Sequence, residues 1–235
     1  MESTQTAATP EPTYQDLAGL IEHVLLRPEL SETDIAAGVD LAKRYGAAGV
    51  VVRPSDVDLA ANWTGSQTVL GTVADWPYGN SSTAVKTFAT RDYLRRGAKS
   101  IDTVMNTGKL VSRQFQYLEM ELVQMTDACH QAGALLSIAL ETAYLNEELK
   151  IVACRICRRA GVDFIASPLI EDLALLKEYS KERLRLKACG GIDTLEQALQ
   201  FRNAGCERLQ TANTAAILDA WKAKLAELQQ PSVIS

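Results

Sequence analysis

The chain has 235 residues, with 24 Lys and Arg against 29 Asp and Glu and a net charge of −5. That balance lacks the basic stripe of a nucleic-acid protein, and 47% apolar with 23% charged residues is the composition of a folded globular chain rather than a disordered one. No apolar run approaches the roughly 18–20 residues of a membrane helix, so neither nucleic acid nor membrane is an expected partner.

Residues 1–12 are polar and rich in Thr and Ala, with no basic or apolar signal region. They read as a disordered leader ahead of a single domain over 13–230, and a cytoplasmic location is expected. Five cysteines, an odd number without an export signal, are expected to be reduced thiols. Cys154 and Cys157 form a C-x-x-C inside a helical stretch with no second pair or histidine nearby, which favours core packing over metal or redox work.

In chain order, short β-like runs alternate with amphipathic helical ones. The first run is IEHVLL (21–26), followed by a helix opened by Ser31 and Asp34, a capping box with a shortened acid, and stopped at Gly46. AGVVV (48–52) precedes a helix opened by Pro54-Ser55-Asp56. TVLGTV (68–73) leads to a helix over 82–96 ending at Gly97, and SIDTVM (100–105) and ALLSIAL (134–140) follow. Asn146–Ala160 is a helix before DFIA (163–166), and LRLKA (184–188) is followed by a helix from Asp193-Thr194 to Gly205, then ERLQT (207–211). Eight strand-helix units without a linker predict a (β/α)8 TIM barrel. A doubly wound open sheet would show a glycine fingerprint after its first strand, where this chain reads LRPELSE.

In such a barrel the chemistry lies at the C-terminal strand ends and the loops after them. Those positions hold Arg27, Arg53, Asp75, Asp102, Asn106, Glu141, Ser167, Lys187, Gly190 and Gly191. Asp102 sits among apolar neighbours within a strand, where a carboxylate needs a partner or a function. Lys187 ends its own strand. The two make either an imine and proton-transfer pair or an ion pair that plugs the barrel. Gly190-Gly191 are placed to bind phosphate through loop amides or to make a tight turn. Trp76–Asn80 is long enough for a lid over the mouth, or for a rigid turn on its rim.

The chain resembles the deoxyribose-phosphate aldolases over residues 17–217. The resemblance rests on Ile21-Glu22-His23-Val24-Leu25-Leu26-Arg27-Pro28, on Pro77-Tyr78-Gly79 with Lys86, on Ile101-Asp102-Thr103-Val104-Met105-Asn106-Thr107-Gly108, on Glu141-Thr142, and on Lys187 through Thr194. It implies a lyase that cleaves 2-deoxyribose 5-phosphate through a lysine imine, without a metal or other cofactor. The family's imine lysine falls at Ala166, and a second lysine of the family at Ser137. Its phosphate loop after strand six reads Pro168-Leu169-Ile170-Glu171-Asp172, and its glycine motif after strand eight reads Gln210-Thr211-Ala212-Asn213-Thr214. Losing a covalent nucleophile can cost on the order of 10⁶ in turnover.

The expected function is therefore an aldolase-like lyase with Lys187 as the imine lysine, in reach of Arg27 and Arg53 if these turn inward, and Asp102 as acid and base. Gly190, Gly191, Ser167 and Asn213 are the candidate substrate- or phosphate-binding residues. Its partners would be a small aldehyde, sugar or sugar phosphate, with no cofactor and a homodimer as the prior for a soluble enzyme. The alternatives are an inactive barrel kept for binding or assembly, and proton transfer by Asp102 and Glu141 without covalent chemistry.

Overall fold

The structure, a computed structural model, describes residues 11–228, so most of the expected leader lies outside the described residues. The strands are β1 (Ile21–Leu25), β2 (Gly49–Val52), β3 (Val69–Ala74), β4 (Ser100–Val104), β5 (Leu135–Ala139), β6 (Phe164–Ser167), β7 (Arg185–Cys189) and β8 (Cys206–Thr211). Each runs parallel to the next and β8 pairs with β1, closing the (β/α)8 TIM barrel. All eight expected runs are strands, within a residue at either end.

The helices are α1 (Tyr14–Ala18), α2 (Glu32–Tyr45), α3 (Val57–Thr64), α4 (Thr83–Arg95), α5 (Thr107–Val111), α6 (Phe115–Gln131), α7 (Glu147–Arg159), α8 (Leu173–Ser180), α9 (Leu195–Asn203) and α10 (Thr214–Leu228). Local chemistry sets their ends. Ser31 N–H donates to Asp34 Oδ2 at 2.8 Å and Asp34 N–H to Ser31 Oγ at 3.3 Å, so the shortened acid completes the box that starts α2. Gly46, at φ +69°, ends it in the left-handed region that glycine adopts without penalty. Helix α1 escapes a sequence reading because one turn has no period to detect. It buries Leu17 and Ala18 ahead of β1, and the Trp221 indole of α10 donates to Thr13 O at 3.4 Å. No described helix is long and apolar enough to cross a membrane.

Alternation along the strands separates two interiors. Ile21, Ile101, Leu136, Ile138, Ile165, Leu186 and Leu209 face the helices and join the main core. The other parity faces the lumen, where Val104, Ala139 and Ala166 form their own small cluster with Cys189 against it. The same parity carries Glu22, Asp102, Lys187, Arg208 and Gln210. Cys154 and Cys157 are fully buried on the core side of α7, and burial pushes the Cys154 thiol up to about 12. They pack as small apolar groups.

The loop after β3 is a fastened turn. Asp75 accepts from Ser81 N–H at 2.8 Å and Ser81 Oγ at 2.7 Å, and Gly79 N–H donates to Asp75 O at 2.9 Å. A Cβ on Gly79 would lie 2.2 Å from Val104 O at φ +63°, so only glycine lets the turn press against the end of β4. That leaves Trp76 on the rim.

Candidate active site

Closing the barrel brings β1, β4, β7 and β8 together over one buried cation. Lys187 Nζ donates to Asp102 Oδ1 at 2.6 Å and lies 2.6 Å from Glu22 Oε2. Gln210 Nε2 donates to Asp102 Oδ2 at 2.6 Å and to Glu22 Oε2 at 3.3 Å, while Arg208 Nε lies 3.7 Å from Glu22 Oε1. Lys187 is 1% exposed. Burial alone drives its ammonium toward the neutral amine, but the charges of Asp102 and Glu22 together outweigh that and raise its pKa above the ordinary 10.5. The resting site is thus an ammonium clamped between two carboxylates.

Glu22 and Gln210 are the members of the cluster that sequence reasoning missed. Glu22 carried the same signal as Asp102, a carboxylate inside an apolar strand. Gln210 stood in the segment that replaces the family's glycine motif, but nothing local says that its amide spans two carboxylates.

Above the cluster the mouth opens into a cavity of about 310 Å³ whose walls include Trp76, Gly190, Gly191 and Asp193. Cys189 and Gln210, paired across β7 and β8, also line it, and Lys187 is the preceding inward position on β7. Burial holds the Cys189 thiol at about 12, so it stays protonated at neutral pH. Gly190 and Gly191 have φ values of +134° and +68°, which explains the pair as a backbone requirement of the β7 loop. A larger hollow beside Tyr14 and Asp219, about 560 Å³, lies in the helical layer away from the strand ends.

The other expected positions are dispersed. Ser167 faces away from the lumen, because the inward set of β6 is Phe164 and Ala166. Its hydroxyl accepts from Leu169 N–H at 3.1 Å and braces the following loop. Asn213 donates to Asp193 Oδ1 at 2.8 Å on the rim. Glu141 is half-buried at the start of a short turn, near enough for its charge to act on the Cys189 thiol. Arg27 does not turn inward but pairs with Glu29 in solvent at 3.0 Å. Arg53 is held by Asp56 at 2.6 Å and by the carbonyls of Arg27, Pro28 and Leu30, so it straps the β1 loop. The cation adjoining the cluster is Arg208.

Lys86 is a second buried ammonium, held outside the lumen by Glu121 at 2.8 Å and Val104 O at 3.3 Å. Neither histidine joins this cluster, His23 lying on the opposite face of β1 from Glu22. His23 Nδ1 contacts Thr214 Oγ1 at 2.9 Å and His130 Nε2 contacts Asp163 Oδ2 at 3.0 Å. Among the described residues, no group of three or more His, Cys, Asp or Glu side chains is arranged to hold a metal ion.

Fold and site together define a (β/α)8 barrel with a buried lysine–carboxylate cluster in its lumen. No protein-family model matches the chain. It is 36% identical over 212 residues to a deoxyribose-phosphate aldolase of Treponema denticola, covering 86% of this chain and 98% of that one. It is 33% identical over 215 residues to the deoxyribose-phosphate aldolase of Thermococcus gammatolerans, covering 87% and 96%. Among solved structures it superposes on QR15, an aldolase, with a TM-score of 0.85 at 30% identity, covering 91% and 99%. The chain belongs to the deoxyribose-phosphate aldolase family.

Proposed function

We propose that the chain catalyses aldol cleavage and condensation, joining or releasing a small aldehyde from a sugar or sugar phosphate, with Lys187 as the imine-forming amine and Asp102 as its proton partner. One observation carries this reading. Lys187 is the one lysine on any of the eight strands, and its Nζ lies in the lumen 2.6 Å from Asp102 Oδ1.

The ammonium first passes a proton to the carboxylate beside it. The free amine adds to the substrate carbonyl carbon, and the carbinolamine loses water to give an imine. Cleavage takes the proton of the β-hydroxyl and leaves the bonding pair in an enamine. Protonation of the enamine carbon and hydrolysis then release the second carbonyl product and return the amine. Asp102 supplies and accepts these protons directly or through water. A carbonyl reaches Nζ by displacing the Gln210 amide that lines the cavity.

The clamp makes the first step costly. At the ordinary value of 10.5 only ~3 in 10,000 lysines are neutral at pH 7, and Lys187 lies above that value. The test is borohydride reduction in the presence of acetaldehyde, glyceraldehyde 3-phosphate or 2-deoxyribose, followed by peptide mapping. A reduced adduct on Lys187 is expected. No adduct there from any of the three would contradict imine chemistry and leave the barrel as a binding or assembly component.

A further inference from the structure

The lyase reading, on which this inference rests, routes every proton through Asp102. That carboxylate is tied at the nitrogen, with Oδ1 accepting from Lys187 Nζ and Oδ2 from Gln210 Nε2, both at 2.6 Å. In the imine the β-hydroxyl oxygen stands four bonds from Nζ, about 5 Å away when the carbon chain is extended. A base for that hydroxyl belongs further up the lumen, and two residues of strand rise ~6.6 Å.

The register shows what stands there. Lys187 is in line with Ala166, Ala139 and Val104, each the Cα partner of the next. Two residues on, the same parity gives Cys189, Pro168, Glu141 and Asn106. Asn106 is spent as the cap of α5, its Oδ1 accepting from Lys109 N–H at 3.0 Å. Pro168 brings neither an N–H nor a titratable group. Cys189 lines the mouth cavity, but burial holds its thiol at about 12. Glu141 remains.

Glu141 extends β5 on its inner side. Leu136, Ile138 and Leu140 belong to the main core, and Leu140 N–H still donates to Ala166 O at 2.9 Å, so the ladder runs up to the residue before Glu141. The side chain is half-buried, and its charge is felt by the Cys189 thiol of the same row. Among the described residues its carboxylate has no hydrogen bond or ion pair. Glu22, Asp75, Asp102 and Asp172, by contrast, are all engaged.

We propose that Glu141 is the base that takes the β-hydroxyl proton in cleavage and returns it to the new alkoxide in condensation, leaving Asp102 the protons at nitrogen and at the enamine carbon. In cleavage the O–H electron pair becomes the second bond of the departing carbonyl. The carbon–carbon pair becomes the enamine double bond, and the C=N pair moves onto nitrogen. The step is redox-neutral, and the proton it releases stays on Glu141.

The experiment compares two sets of reactions on the wild-type chain and on Glu141→Gln. The first set, the borohydride-trapped adduct at Lys187 and deuterium exchange into the methyl group of acetaldehyde in heavy water, passes through imine and enamine without a β-hydroxyl. The second is acetaldehyde release from 2-deoxyribose and 2-deoxyribose 5-phosphate. Glu141→Gln is expected to keep adduct and exchange within about threefold of wild type and to lower release at least ~100-fold, in kcat rather than KM. Release unchanged in Glu141→Gln, or exchange and release falling together, would overturn the proposal. So would a wild-type chain that exchanges deuterium yet releases acetaldehyde from neither sugar. A wild-type chain that forms no adduct and exchanges nothing overturns the lyase reading itself, and this role with it, so the two failures are told apart.

Discussion

Ala166→Lys is expected to raise the rate of borohydride-trapped adduct formation with acetaldehyde at pH 7 by ~10- to 1000-fold, with the adduct mapping to position 166. The position is set by register. Ala166 is the Cα partner of Lys187 on one side and of Ala139 on the other, and its side chain points into the lumen beside Val104 and Cys189. An amine placed there would lie next to the Lys187 ammonium without being clamped as Lys187 is. A like charge within ~4–6 Å lowers a lysine's pKa by one to three units, and each unit makes the free amine tenfold more abundant. The barrel can accept the added charge because Lys187 is already shared between two carboxylates, Glu22 and Asp102. A soluble, folded variant whose adduct rate matched the wild type would show that the alanine at this position is not what limits the chemistry.

Lys187→Met is expected to abolish the adduct and to lower stability by ~3–5 kcal/mol, read as a fall in Tm. The two effects have different origins. Methionine fills much of the same volume but leaves Glu22 and Asp102 buried without their shared cation, and removing one partner of a buried pair exposes the full desolvation cost of the other. Lys187→Arg separates the roles, since it keeps a cation between the carboxylates yet offers no amine for an imine. It should recover part of the lost stability and none of the adduct. The linkage has a definite sign. Because the folded pKa of Lys187 lies above its unfolded value of ~10.4, its contribution is fully present below that pH and is lost as the pH rises through the folded pKa. An unchanged Tm for Lys187→Met would mean that the clamp contributes nothing to folding.

Most of the fold was legible because its cues are local. The Ser31–Asp34 box, Gly46 and the period-two runs each announce themselves within a few residues, and eight such units leave little choice of architecture. The site was half legible for the same reason. Asp102 and Lys187 stood out as charges inside apolar strands, whereas the meeting of Glu22, Lys187, Asp102 and Gln210 depends on barrel closure, which brings β1 beside β8. Ser167 illustrates how parity decides. The strand ends at Ser167 itself, but its inward positions are Phe164 and Ala166, so the hydroxyl turns to the loop. Whether Arg53 turns inward was not legible because loop carbonyls are invisible in a sequence, and three of them, with Asp56, take its donors.

Position 166 also explains the character of the site. With alanine there, no second ammonium presses on Lys187, and the two carboxylates act without opposition except from burial. The chain keeps the barrel of its family while holding its one strand-borne amine in the unreactive form.

The most direct measurement is the pH dependence of adduct formation at Lys187, followed by quenched borohydride trapping and quantitative peptide mapping. An amine clamped above 10.5 predicts a rate that climbs about tenfold per pH unit from 7 to 9.5 with no plateau. A plateau reached near neutral pH would mean that the amine is already free there, and would contradict the clamp.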